Sequence, residues 1–385
     1  MKSLHKLLIT QFLTALADNA ILMATVFIIT EQALGNVYVA IVQACFFIAY
    51  ALLAPYAGIL SEKIPKSNTL WMGNALKLLG ASLLFMGVNP AVSYAIVGIG
   101  ACIYGPGKYA ILREITKDEQ ELYKANGLVE GSTIIAILLG TVLGGFLSAK
   151  SLMLAMIVIM ACYVLSFIFA LILPKGEVSD VKFSRAWRDF GRDVATLVKI
   201  KEARTTMIGT SSFWMTSSVL RLAMIAWIPI ALGIGTDTAS LYMGVSAIGI
   251  MVGAFLSPKI IKLEKVQKVV YLGVGMSLAI SVVGWLPYAV PIALILFIAG
   301  FCGGAYMIPL NTILQEKGTV VGNGKTIAIQ NFFENILMFS GTLLYSGALK
   351  AGVEIPNIMI GFGVFFLIVS LFVGTQFKSI KSIKS

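Results

Sequence analysis

The chain has 385 residues, 58% of them hydrophobic and only 12% charged, with a mean hydropathy of +0.91. A soluble domain carries about 25% charged residues, so a water-soluble enzyme is excluded. The formal charge of +11 would suggest nucleic acid in a soluble chain, but in a membrane protein it means basic loops against anionic headgroups, so the expected partners are membrane lipids and no nucleic acid.

The N-terminal stretch MKSLHKLLITQFL runs into a polar-studded helix with no small-residue cleavage site, and it reads as a retained first span rather than a signal peptide. Hydropathy, with breaks at Gly, Pro and charge, predicts helices over 6–31, 36–60, 68–88, 91–114, 124–149 and 152–174. A second set follows over 204–233, 238–262, 267–286, 291–315, 325–349 and 355–377. The expected fold class is therefore an all-α integral membrane protein of twelve transmembrane helices. Its domains are 1–174 and 204–385, each a six-helix bundle, joined by a linker over 175–203.

In that linker Phe183, Trp187, Phe190 and Val194 recur at helical spacing, while Arg185, Arg188, Asp189, Arg192 and Asp193 point elsewhere. The pattern fits an amphipathic helix lying on headgroups, and equally a connector that keeps the two bundles in register. On this layout 24 Lys and Arg fall on the side of the termini and the linker, against Lys150 and Lys350 alone on the other. The positive-inside rule then places both termini and the long central loop in the cytoplasm.

Cys45, Cys102, Cys162 and Cys302 lie far apart within apolar runs, which argues against a disulfide framework or a zinc site. His5 is the only histidine, so Ser-His-Asp catalysis and His-based metal sites are excluded, and neither an enzyme nor a cofactor is expected.

The second half repeats the first at an offset of about 203, pairing Pro55 with Pro258 and Pro106 with Pro309. Ile111-Leu112-Arg113-Glu114 corresponds to Ile313-Leu314-Gln315-Glu316, and Asn126-x-x-x-Glu130 to Gln330-x-x-x-Glu334. Two six-helix halves in the same orientation are the arrangement of the major facilitator superfamily. The same offset carries Asp18 onto Arg221, opposite charges at positions that would face each other across a central cavity.

Six ionisable residues fall within the predicted spans: Asp18, Lys77, Lys108, Glu130, Arg221 and Glu334. Each costs about 2.5 to 3.5 kcal/mol at a helix centre, so each must face water or a partner. Asp18 and Arg221 are expected to pair, gating access or holding a zwitterion. Lys108 and Glu130, roughly 9 Å deep at 1.5 Å per residue, are substrate contacts or simply each other's partners. Asn311 and Thr312 stand where Lys108 would be mirrored, which leaves Glu334 without an obvious partner and makes it a candidate for a substrate amine or a proton. Lys77 is expected to be peripheral, snorkelling or held by a structural partner. Asn19, beside Asp18, and Gln330, one turn before Glu334, complete the substrate-binding or gating candidates. Gly105-Pro106-Gly107 before Lys108 allows close approach of a ligand or a helix, while Gly140-x-x-x-Gly144-Gly145 and Gly249-x-x-x-Gly253 look like helix-packing faces.

The segments QFLTALADNAILMAT, GNALKLLGAS, PGKYAILREIT, KANGLVEGSTIIAILLG, GTSSFWMTSSVLRLAMIAWIPIALGI, QEKG and AIQNFFEN resemble the bacterial lysophospholipid transporter family of the major facilitator superfamily, nearly throughout the chain. The usual superfamily loop between helices 2 and 3 survives only as Gly58-Ile59-Leu60-Ser61-Glu62-Lys63. The resemblance implies a flippase moving lysophosphatidylethanolamine and lysophosphatidylglycerol from the outer to the inner leaflet of the bacterial inner membrane. It implies an acyltransferase/acyl-acyl carrier protein synthetase as functional partner, Asp18, Lys108 and Arg221 in the transport path, and a monomer as the superfamily default. A proton-coupled exporter of drugs or metabolites, protonated at Glu130 or Glu334, is the alternative. A lipid acyltransferase is disfavoured because the H-x-x-x-x-D arrangement cannot be built from His5 alone.

Overall fold

In hydrocarbon the backbone has no water to bond, so long apolar runs must satisfy themselves as helix. The computed structural model describes residues 2–34, 36–181, 183–234, 236–286 and 288–384, with the side chains of all but 2, 36, 37, 40, 47, 236–240, 289 and 380–384. The described residues form no strand and 13 α-helices. The first seven are α1 (Lys2–Glu31), α2 (Asn36–Lys63), α3 (Lys66–Phe85), α4 (Pro90–Ile115), α5 (Glu119–Lys150), α6 (Leu152–Leu171) and the linker helix α7 (Ala186–Lys199). Then come α8 (Lys201–Leu232), α9 (Thr236–Ile260), α10 (Val269–Val283), α11 (Ala289–Lys317), α12 (Asn323–Lys350) and α13 (Ile355–Lys384). The side chains of Lys2, Lys182, Lys381 and Lys384, which count in the charge asymmetry, lie outside the described residues.

Ten of these helices are long and apolar enough to cross a membrane. The chain is thus a multi-pass membrane protein. α3 and α12 fall short of that hydropathy because they carry Asn74 and Lys77, and Gln330 and Glu334. Their polar residues are buried, whereas Val142 and Phe146 on α5, Ile168 and Leu171 on α6, and Leu343 and Leu344 on α12 are exposed. Large apolar side chains outside and polar ones inside are what a lipid solvent selects.

The internal repeat is written in the packing. α1 touches α2, α4 and α6, α4 touches α2 and α3, and α3 touches α6. Shifted by seven elements, α8 touches α9, α11 and α13, α11 touches α9 and α10, and α10 touches α13. Pro55 and Pro258 lie inside α2 and α9, and Pro106 and Pro309 inside α4 and α11.

Two compact units emerge. One comprises Met1–Asp118, Ile135–Thr196 and Gly318–Phe332, the other Glu119–Ile134, Leu197–Lys317 and Phe333–Ser385. α5 and α12 each run through both. In the first unit a Cβ on Gly140 or Gly144 would strike the α1 backbone at Leu16 or Ala20. In the second, Gly249 and Gly253 lie against the α11 backbone at Phe297 and Phe301. Both pairs are close-packing faces, as expected, whereas Gly145 has open space around it. Gly107 admits α3, since its missing Cβ would sit on Thr69.

The linker forms a short 3₁₀ turn over Phe183–Arg185 and then α7. The ring centroids of Phe190 and Trp187 lie 5.3 and 6.4 Å from that of Phe332 on α12, and Asp193 pairs with Lys325 at 3.0 Å. Part of the apolar stripe is therefore packed on protein, while Trp187 remains 47% exposed.

Candidate functional site

Asp18 stands mid-length on α1. Its two carboxylate oxygens are held separately: Lys77 Nζ on α3 donates to Oδ2 at 2.7 Å, and Tyr163 OH on α6 donates to Oδ1 at 2.8 Å. The Lys77 ammonium also lies 4.8 Å from the centre of the Tyr104 ring on α4. Lys77 is 1% exposed, whereas the Asp18 side chain keeps 26%. The buried ammonium is neutralised and the carboxylate still shows an edge.

One turn along the same three helices lies a second polar knot. Thr14 donates to Asn74 Oδ1 at 2.6 Å, Asn74 donates to Ser166 Oγ at 2.8 Å, and Ser166 donates to the Thr10 carbonyl at 2.8 Å. All four residues are buried. Thr10, Thr14 and Asp18 at i, i+4 and i+8 share one face of α1, with Asn74 and Lys77 on α3 and Tyr163 and Ser166 on α6 opposite. Buried groups with this degree of satisfaction fix helix register.

Lys77 does have a structural partner, Asp18, but it is among the most buried side chains of the protein rather than peripheral. The carboxylate of Asp18, expected to pair with Arg221, is taken up by Lys77 and Tyr163. Arg221 on α8 is exposed and makes no ion pair among the described residues. On the same helix the hydroxyls of Ser211 and Thr216 are buried without a hydrogen-bond partner among the described residues.

The remaining candidates are placed as follows. Lys108 on α4 is 8% exposed, its ammonium 4.1 Å from the centre of the Tyr109 ring. Glu130 on α5 and Glu334 on α12 are each 7% exposed. Glu334, expected to lack a partner, is engaged. Gln330 is buried and engaged as well. Asn19 turns back on its own helix, donating to the Ala15 carbonyl at 2.8 Å.

Two further polar contacts tie the shared helices in place. In the second unit Gln315 on α11 donates to Asn126 Oδ1 on α5 at 3.0 Å, and Asn126 donates to Thr312 Oγ1 at 3.1 Å, all fully buried. In the first, Glu62 accepts the Gly324 N–H at 2.7 Å at the start of α12, where the helix dipole favours a carboxylate. Gly322 makes that approach possible, with a φ of +104° only glycine adopts freely. Asn126→Leu is expected to destabilise the protein by about 1 to 3 kcal/mol, because Gln315 is left buried and unsatisfied. The double variant Asn126→Leu/Gln315→Leu should recover most of that loss in a detergent melting assay.

The knot of Thr14, Asn74 and Ser166, the Tyr163 hydroxyl and the Asn126–Gln315 amide pair are absent from the sequence-derived candidates. Polar residues at i, i+4 and i+8 on α1 are a signal that could have found the first of them.

A family model described as Major Facilitator Superfamily matches residues 7–342. The lysophospholipid transporter LplT of Photorhabdus laumondii is 37% identical over 98% of this chain and 96% of its own length. That of Enterobacter sp. is 37% identical over 92% and 91%, and one from Escherichia coli 35% over 95% and 93%. Among solved structures, the Major Facilitator Superfamily transporter FucP in its outward conformation is similar with a TM-score of 0.79 at 14% identity, covering 97% of this chain and 98% of FucP. A bacterial homologue of the iron transporter ferroportin, outward-facing, gives 0.74 at 13% identity, covering 99% and 100%.

Proposed function

This chain belongs to the Major Facilitator Superfamily, and from that premise we propose that it is a lysophospholipid transporter, moving lysophosphatidylethanolamine and lysophosphatidylglycerol from the outer to the inner leaflet of a bacterial inner membrane. Full-length relatives named as lysophospholipid transporters support the substrate class. The observation that carries the reading is the state of Arg221: a guanidinium on a membrane-spanning helix, exposed and without an ion pair among the described residues.

A permanent cation stranded in that way costs free energy unless an anion visits it. A planar guanidinium matches phosphate bidentately, and a single acyl chain fits beside the apolar side chains of the same spans. Within its own unit Asp18, neutralised by Lys77, offers hydrogen-bond acceptance to an ammonium or a hydroxyl. Lys108, Glu130, Glu334 and Gln330 supply further buried polar groups along the path, with Asn19 beside Asp18. The two six-helix halves, 1–174 and 204–385, are joined by the linker 175–203, with both termini in the cytoplasm. The protein performs no chemistry on the lipid; an acyltransferase/acyl-acyl carrier protein synthetase restores the missing chain. It works as a monomer.

The test is uptake of labelled lysophosphatidylethanolamine by spheroplasts lacking their own flippase, with and without this protein and with ionophores added. Uptake that depends on the protein is the expected result. Transport that ignores lysolipid and collapses with the proton gradient would move the protein to the exporter class.

A further inference from the structure

We propose that Lys77 and Tyr163 are positioning residues that hold Asp18 as a charge-balanced acceptor, so that headgroups donating through an ammonium and through a neutral hydroxyl are handled alike. The inference rests on the lysophospholipid reading and adds to it the basis of headgroup tolerance.

Geometry divides the roles. Lys77 at 1% exposure cannot touch a passing lipid, and Tyr163 at 0% cannot either, but Asp18 keeps 26% of its side chain open. Lys77 occupies Oδ2 and Tyr163 occupies Oδ1, one donor to each oxygen. A carboxylate oxygen accepts more than one hydrogen bond, so the exposed edge retains acceptor capacity on both oxygens. The two donors come from different helices, α3 and α6, so the carboxylate is held at both of its oxygens. The knot of Thr14, Asn74 and Ser166 one turn away locks the same three helices in register.

Charge is the second half of the argument. An isolated carboxylate in this setting would favour an ammonium strongly and repel an anionic lipid. With Lys77 bonded to it at 2.7 Å the pair carries no net charge, and what remains is hydrogen-bond acceptance. Lysophosphatidylethanolamine offers an ammonium there and lysophosphatidylglycerol a hydroxyl, and neither meets a repulsive field.

The experiment measures uptake of the two labelled lysolipids in parallel by the parental protein and by Lys77→Met, Lys77→Arg, Tyr163→Phe and Asp18→Asn/Lys77→Met, each normalised to inserted, monodisperse protein. Lys77→Met is expected to shift the ratio of ethanolamine to glycerol lipid transported by about fivefold or more toward ethanolamine, because an unbalanced carboxylate is left. Lys77→Arg should keep the parental ratio. Tyr163→Phe, which leaves the ion pair and the ring in place, should raise KM for both lipids about threefold to tenfold with little change in maximal rate, the loss of one charge-assisted bond. The double variant should insert like the parent yet stay inactive.

A double variant transporting both lipids at the parental rate would make the pair structural only and overturn the inference. So would an unchanged lipid ratio in Lys77→Met together with unchanged kinetics in Tyr163→Phe. If the parental protein moves neither lipid, the functional reading falls first and this inference with it, an outcome distinct from the other two.

Discussion

Replacing Arg221 with Gln is expected to lower lysolipid uptake by about a hundredfold while leaving the folded protein at least as stable as the parent. The two effects have opposite signs for one reason: Arg221 has no ion pair to lose among the described residues. A charge at a span's centre costs about 2.5 to 3.5 kcal/mol to insert, so its removal relieves the fold. Hydrogen bonds to a charged group are worth about 1.5 to 3 kcal/mol each, and a bidentate phosphate contact loses two of them. At about 1.4 kcal/mol per factor of ten, that difference accounts for the hundredfold. Arg221→Lys keeps the charge but not the fork, and should retain about a tenth of the parental rate. Melting in detergent and uptake in spheroplasts, measured on the same preparations, check both halves. Parental uptake by Arg221→Gln would remove the phosphate role outright.

How far this site was legible in the sequence follows from what each residue depends on. Helix ends such as 36 for α2, 152 for α6 and 355 for α13 coincide with the boundaries read from hydropathy, because they are set locally by charge, Pro and Gly. The glycine faces on α5 and α9 were equally local, since spacing alone aligns Gly140 with Gly144 and Gly249 with Gly253. Asp18 and Arg221 stood out because ionised groups within apolar runs are expensive wherever they fall.

The partners were another matter. Repeat symmetry set Asp18 opposite Arg221, but symmetry says nothing about the neighbours of α1 in its own bundle, and α1 packs on α6 and touches α3. Lys77 was placed at the periphery from the rank of its helix, although Asn74 one turn earlier marks the same face as polar. Tyr163 has no signature at all: a tyrosine within an apolar helix reads as core until its hydroxyl is seen on a carboxylate. Glu334 lacks a cation at the position that mirrors Lys108, and a count of mirrored charges does not register the engagement the structure gives it.

Gly253→Ala should destabilise the protein and Gly253→Leu should prevent folded protein from accumulating at all. The missing Cβ of Gly253 would collide with the Phe301 carbonyl and lie 3.0 Å from the Ala305 nitrogen, both backbone atoms of α11. No rotamer change relieves such a contact, so α9 and α11 must separate along their length. Overpacking of this kind costs about 1 to 3 kcal/mol for one methyl and more for a branched chain. Gly145→Ala on α5 provides the control, because among the described residues nothing outside its own helix lies within 4 Å of the new Cβ. Helix propensity alone then acts, and the substitution should stabilise by up to about 1 kcal/mol. Detergent melting temperatures that fall for Gly253→Ala and hold or rise for Gly145→Ala would confirm that the small-residue faces are helix contacts. Equal behaviour of the two would mean that α9 and α11 are not in backbone contact at this point.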